Sequence, residues 1–260
     1  MDCFLDLHEL AALTWLLMRL TVLGSGDAFH SGGSLHSSNI LEHAGGVLML
    51  ECGTGGLAGL KRQGIDPNVV DAVLLSHFHG DHFGGIPFLL LDYLFVSCRD
   101  RPLTILGPKG VQERVLTLHA NMYRELLHHE FTFGLNFVDL EPGQDFEVAG
   151  LQGHAFEVIH NAEPYALGYR LAGSDRTLLF SGDSGWTEAF VEQSQNVDLF
   201  LCECCSLAPS LPMHTSYAEL IDKRPQLGCR RMLLTHLGED VRTSEGLVIE
   251  CAHDGLVVDF

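Results

Sequence analysis

Apolar runs bounded by turn residues predict strands over residues 20–23, 47–51, 71–76, 103–106, 197–201 and 231–234. Strand-like segments at 137–140, 145–148, 151–159, 166–171 and 177–181 are separated by turn residues. Helical patterning covers 57–63, closed by Gly64, and 111–127, entered through Gly107-Pro108-Lys109-Gly110. A third helix is expected over 215–224, ended near Pro225. No long linker or low-complexity run divides the chain, so residues 18–260 are expected to form one α/β domain beginning at Met18-Arg19-Leu20.

Residues 1–17 carry acids and no basic residue, unlike a secretory signal, and the apolar piece at 10–18 is too short to span a bilayer. They are expected to be an N-terminal extension, from a start codon set too early, that packs as a short surface helix. No membrane partner is expected.

Charge narrows the choice of partners. There are 34 Asp+Glu against 15 Lys+Arg, a net charge of -19, and no basic run. Polyanion binding draws on Lys/Arg contacts to phosphates, so a large RNA is an unfavourable partner and a small substrate of modest charge a favourable one. The cysteines at 3, 52, 98, 202, 204, 205, 229 and 251 resemble no disulfide framework, and a reducing, cytoplasmic compartment is the default. Cys202-Glu203-Cys204-Cys205 is dense enough for a soft-metal or redox site. The plainer reading of Cys202 is a small apolar residue ending the strand before it.

The chemistry concentrates in His77-Phe78-His79-Gly80-Asp81-His82, where four metal-capable side chains fall within six residues. The apolar strand at 71–76 precedes them, so they sit on a turn leaving a strand end and can converge on one point. Imidazole and carboxylate suit zinc and its first-row neighbours, with manganese or iron as alternatives.

This His-x-His-x-Asp-His stretch resembles the signature of the metallo-β-lactamase-fold hydrolases. Glu51-Cys52-Gly53-Thr54-Gly55 stands where that family's first motif, Asp-x-Gly, is expected. His160 with Leu167-Gly168-Tyr169-Arg170, Ser181-Gly182-Asp183-Ser184 and Leu234-Thr235-His236-Leu237 resemble its third, fourth and fifth motifs. Gly-Tyr-Arg and Ser-Gly-Asp are similar to the ribonuclease Z-like phosphodiesterase branch. The resemblance implies an αββα sandwich, two mixed sheets face to face with helices outside. It also implies two Zn2+ ions, one held by His77, His79 and His160, the other by Asp81, His82 and His236, with Asp183 bridging and a shared hydroxide as nucleophile. Asp81 is thereby both ligand and catalytic residue. Family members are often dimers, so a homodimer is a further expectation.

The resemblance also implies secondary roles. Glu51 replaces the usual Asp and is expected to orient ligands from behind, or else to be only a strand-end acid. His214, in His214-Thr215-Ser216, is similar to the short His motif of ribonuclease Z-like enzymes, where it would protonate the leaving group; the bland alternative is a surface histidine. Gly24-Ser25-Gly26-Asp27 lacks the third glycine of a dinucleotide loop and reads as a tight turn. His30 and His36 beyond it are expected to be solvated loop histidines, and His128-His129 is assigned no metal role. Ribonuclease Z carries a long basic arm between its third and fourth motifs. Here 22 residues separate His160 from Asp183, too few for one.

The expectation is therefore a dinuclear metal-dependent hydrolase of small phosphodiesters such as cyclic nucleotides. Arylsulfatase, lactonase or β-lactamase activity on the same site is the alternative. A non-catalytic metal-binding domain is a third possibility.

Overall fold

A computed structural model describes residues 18–126 and 130–260. The expected extension at 1–17 and the His128-His129 pair lie outside the described residues. Strands β1 (Arg19–Gly24), β2 (Ser38–His43), β3 (Gly46–Cys52), β4 (Ala72–Leu74), β5 (Leu103–Pro108) and β6 (Leu135–Leu140) form one sheet, closed by β14 (Val257–Asp259) beside β1. The second sheet runs β13-β12-β11-β10-β9-β8-β7. Its strands are β7 (Asp145–Val148), β8 (Leu151–Glu157), β9 (Leu167–Ala172), β10 (Thr177–Phe180), β11 (Leu199–Glu203), β12 (Arg231–Thr235) and β13 (Glu250–Cys251). Each sheet is mixed: β3 to β6 and β10 to β13 are parallel, the rest antiparallel.

Three apolar layers follow from the period-2 alternation of the strands. Leu20, Leu41, Leu48 and Leu74 from one sheet pack with Leu167, Tyr169, Leu178 and Leu201 from the other. On the outer face of the first sheet, Ile40, Met49 and Val73 meet helices α1 (Gly56–Arg62), α3 (Ile86–Phe95) and α4 (Val111–Met122) through Leu60, Leu89 and Val115. The second sheet's outer face is covered likewise by α5 (Ala189–Gln193), α6 (Tyr217–Lys223) and α7 (Glu239–Thr243). The one-turn helix α2 (Gly80–Phe83) carries half of the His-rich turn. The αββα sandwich is the architecture.

Where the elements differ from the sequence reading, local chemistry accounts for it. The long helix stops at Met122, because Tyr123 leaves helical conformation, and a 3-10 turn over Arg124–Leu126 follows. Helix α6 starts at Tyr217, since Ser216 is extended and its side chain accepts a hydrogen bond from Glu219 N. His214 is thus in the loop before the helix.

The two sheets are pinned together under the His-rich turn. Tyr169 Oη donates to the buried Leu75 carbonyl at 2.7 Å, and Leu167 N donates to Ser76 O at 3.0 Å. Two glycines allow the close approach there. A Cβ on Gly53 would lie 2.3 Å from Asp81 O, and one on Gly182, at φ +58, would lie 2.7 Å from Ser76 Cβ. Tyr169→Phe orphans the Leu75 carbonyl and is expected to cost about 1–2 kcal/mol. Urea denaturation of the two proteins measures it, and equal midpoints would remove this pin from the account.

Candidate metal centre and active site

The site residues leave the carboxyl ends of strands. Glu51 lies near the end of β3, His77 to His82 follow β4, and His160 follows β8. Asp183 follows β10, Glu203 ends β11, and His236 follows β12. Strand β8 runs the same way as β10, because both are antiparallel to β9. One rim therefore collects all of them, which is where sheets with parallel strands bind ligands.

Asp183 stands at the middle. Its Oδ2 lies 3.1 Å from His82 Nε2, 3.3 Å from His236 Nε2, 3.9 Å from His77 Nε2 and 4.0 Å from His160 Nε2. Asp81 Oδ2 lies 3.2 Å from His82 Nε2 and 3.3 Å from His236 Nε2. His160 Nε2 meets His79 Nδ1 at 3.1 Å. The predicted ligands fall into two sets, each with ligand atoms within 4.8 Å of one another: His77, His79 and His160, and Asp81, His82, Asp183 and His236; His214 forms a further such group with His160 and Asp183. All seven sequence-predicted ligands are brought together.

These residues fit metal ions. His77 Nε2 and both nitrogens of His82 are buried without hydrogen-bond partners, although carboxylate oxygens lie close by. Close, unaligned N/O contacts are what ligands around one small cation show: at bonds of about 2.0–2.1 Å in a tetrahedron, neighbours stand about 3.4 Å apart. Outer contacts aim the rings. Ser76 Oγ holds His77 Nδ1 at 2.9 Å, and His160 Nδ1 donates to the Met213 carbonyl at 3.1 Å, turning each Nε2 inward. Glu51 accepts from Ser76 N at 2.9 Å, and its second oxygen lies 3.8 Å from His82 Nδ1. Glu51 and His236 adopt left-handed backbone, φ 60 and 53. Such conformations persist in non-glycine residues where surrounding structure imposes them, as at active sites.

The electrostatics are those of buried opposite charges. Burial opposes ionisation of Asp183, yet His236 and His82 hold it well below the carboxylate range. Asp81 is likewise lowered against burial by its hydrogen bonds to His236 and His82. Burial disfavours the charged forms of His82 and His236, but Asp183 and Asp81 raise both. Burial pushes His77 and His160 down. A cation bound here supplies the positive charge that the carboxylates otherwise draw from imidazolium.

Glu203 is the site residue that sequence reasoning missed. It is fully buried, and burial and then Asp183 push it well above the usual carboxylate range. His214 Nδ1 lies 3.1 Å from both its oxygens, and His236 Nδ1 lies 3.8 Å from Oε2. His214 stacks parallel to His236, so the structure brings it to the cleft. The signal was present as an acid inside the otherwise apolar run from Leu199 to Cys204, a place where a carboxylate needs a partner.

His36 is a correction. It is 8% exposed, not solvated, because Thr54 Oγ1 holds its Nδ1 at 2.8 Å and His30 stacks on it at 3.5 Å. His30 is exposed. Cys202 packs as a buried apolar residue in β11, as its plainer reading has it.

The chain resembles known proteins along nearly all of its described length. Ribonuclease Z of Methanosarcina acetivorans is 24% identical, with 85% of this chain and 88% of that protein aligned. Among solved structures, the metallo-β-lactamase fold protein YhfI from Bacillus subtilis superposes with a TM-score of 0.76 at 22% identity, covering 94% of this chain and all of that one. Human tRNase Z, short form, gives 0.74 at 21% identity, over 92% of this chain and 98% of its own. The family model for the anti-Pycsar protein Apyc1 matches residues 18–253. A metal-dependent hydrolase of the ribonuclease Z-like branch of the metallo-β-lactamase fold, the chain belongs to the Apyc1 family of anti-Pycsar proteins.

Proposed function

We propose that the protein is a dinuclear zinc phosphodiesterase of small substrates, cyclic nucleotides or their analogues, acting in the cytoplasm. His77, His79 and His160 would hold one ion and Asp81, His82 and His236 the other, with Asp183 between the two sets. The observation that carries this reading is the position of Asp183 Oδ2, within 4.0 Å of imidazole nitrogens from both sets. A carboxylate so placed is within reach of an ion in either set. When bound, two such ions polarise the phosphodiester and acidify a water to a pKa of roughly 7.

The chain's own residues then manage protons. Buried Glu203 and half-buried His214 form a dyad beside His236. His214 Nε2 delivers a proton to the leaving oxygen, which leaves Nδ1–H bound to ionised Glu203. Glu203 fixes the ring in that orientation.

Small substrates are supported by the segment between His160 and Asp183, where β9, β10 and the turn at 173–176 leave no basic arm. The described cysteines are all free thiols, in keeping with a reducing compartment. Among the described residues no helix is long and apolar enough to cross a membrane. Action against Pycsar, which the family's name carries, is part of this reading.

The testing experiment is metal content by elemental analysis beside turnover of bis(p-nitrophenyl) phosphate and a cyclic nucleotide. About two ions per chain with turnover of both, lost in His79→Ala, is the expected result. Two ions without phosphodiester turnover, but with sulfate or lactone turnover, would overturn the substrate class.

His214→Ala is expected to cost about 10²-fold on the cyclic nucleotide, whose sugar alkoxide leaves only with a proton. On bis(p-nitrophenyl) phosphate the loss is expected to be below about tenfold, because nitrophenolate leaves unaided. Equal losses on both would sink the general-acid role.

Metal affinity is expected to rise with pH. His82 and His236 are raised, so in metal-free protein they hold protons near neutrality, and each must give up its proton to coordinate. Titration calorimetry in buffers of different ionisation enthalpy measures this as about one to two protons released per chain. No release would place the ligands elsewhere.

A further inference from the structure

We propose that Glu203, Cys205 and His214 form a third metal site, at which a borderline-soft divalent ion such as excess zinc switches the enzyme off. Ligand atoms of these three residues lie within 4.8 Å of one another, the same closeness that defines each of the two sets around Asp183. The inference uses the position of the Glu203–His214 dyad; it does not depend on which ester is cleaved.

The local fold builds this constellation. Residues 203 and 205 are two apart at the end of an extended segment, so their side chains share a face. The loop carrying His214 is paired alongside. Cys205 N donates to Thr215 O at 3.1 Å, Tyr217 N donates to Ser206 O at 2.8 Å, and Ser206 bridges Ser216. That pairing sets Thr215 opposite Cys205 and holds the adjoining His214 beside it without any ion. The Glu203 carboxylate is held from behind, where the backbone N–H of Ser184 donates to it. Cys205 is half-buried and the His214 side chain is 18% exposed, so an ion can enter from the cleft.

The donor set differs in kind from its neighbours. His77, His79 and His160 offer nitrogen alone, and the Asp183 set offers nitrogen and oxygen; among such groups of the described residues, Glu203, Cys205 and His214 alone offer sulfur. Thiolate prefers softer ions, so zinc, cobalt or cadmium binds here and magnesium or manganese does not. Binding releases the Cys205 thiol proton and the proton that Glu203 and His214 share. Three bonds to the ion form in exchange, and no electron is transferred. The ring keeps its Nε2–H, but with Nδ1 on the ion no proton can pass to it from Glu203, so losing the Nε2 proton would leave an imidazolate and His214 ceases to act as a general acid. The cluster Cys202-Glu203-Cys204-Cys205 is thereby divided: Cys202 and Cys204 are buried in the apolar layer, and half-buried Cys205 lies beside Glu203 and His214.

The test titrates full-length protein carrying its resident metals with Co2+ and follows the thiolate-to-cobalt charge-transfer absorbance. The expected result is one further equivalent bound with that band, and a cyclic nucleotide turnover that falls at least tenfold as the band rises. Cys205→Ser is expected to keep the resident metals and basal turnover, lose the band and resist inhibition. Elemental analysis before titration establishes that this variant is correctly loaded. The band reports on the site whether or not any phosphodiester is turned over, so its presence without turnover would fault only the substrate assignment. No band in the wild type, or a band that persists in Cys205→Ser, would overturn the third site.

Discussion

Two carboxylates, Asp81 and Asp183, are buried against the same imidazoles at 8% and 3% exposure, and neither can stay ionised there without positive charge beside it. That requirement organises the rim. His82 and His236 are drawn towards both carboxylates, and close approach at Gly53 and Gly182 lets the strand ends crowd together. The left-handed backbone of Glu51 and His236 belongs to the same crowding. A divalent ion answers the requirement better than imidazolium does. It brings two charges per site and frees the ring nitrogens to act as neutral donors.

A pair of buried glutamates then backs the pair of rings. Glu51 lies behind His82 and Glu203 behind His236, each with one oxygen 3.8 Å from the Nδ1 of its ring. Their other partners separate their functions. Glu51 accepts from Ser76 N and stands behind His82 alone. Glu203 also holds His214, whose side chain reaches the cleft, so the same arrangement extends into the proposed proton transfer and, in the proposed third site, into control by metal. The extra methylene of Glu51 relative to the family's Asp is absorbed by the chain: the carboxylate still reaches the backbone of the β4 end.

How far the sequence disclosed this follows from range. Strand ends and the His-rich turn are local patterns, so His77, His79, Asp81 and His82 were legible from spacing, while His160, Asp183 and His236 needed the resemblance of their short motifs. Glu203 was hidden because its partner His214 is 11 residues away, in a loop whose pairing to residues 204–206 only the folded chain shows. His36 was misread for a similar reason. Its polar neighbours suggested solvent, yet Thr54, 18 residues on, and the stacked His30 bury it. Element boundaries moved by a few residues where a single cap decided them, as Ser216 does for α6.

Charge ranks the substrates that such a rim admits. In the proposed dinuclear state, two dications against Asp81 and Asp183 leave the inner shell at about +2, enough to draw in one diester. That attraction is screened over about 8–10 Å. The chain as a whole carries -19, and a polynucleotide would meet that field with every phosphate it has, whereas a small diester presents one charge directly to the ions. Holding a polynucleotide takes Lys/Arg away from the metals to offset this repulsion, and 15 such residues stand against 34 acids. In the proposed reading, the same inner shell serves a small phosphodiester and the acidic surface around it works against a polyanion, so the distinction lies with that surface and not with the centre itself.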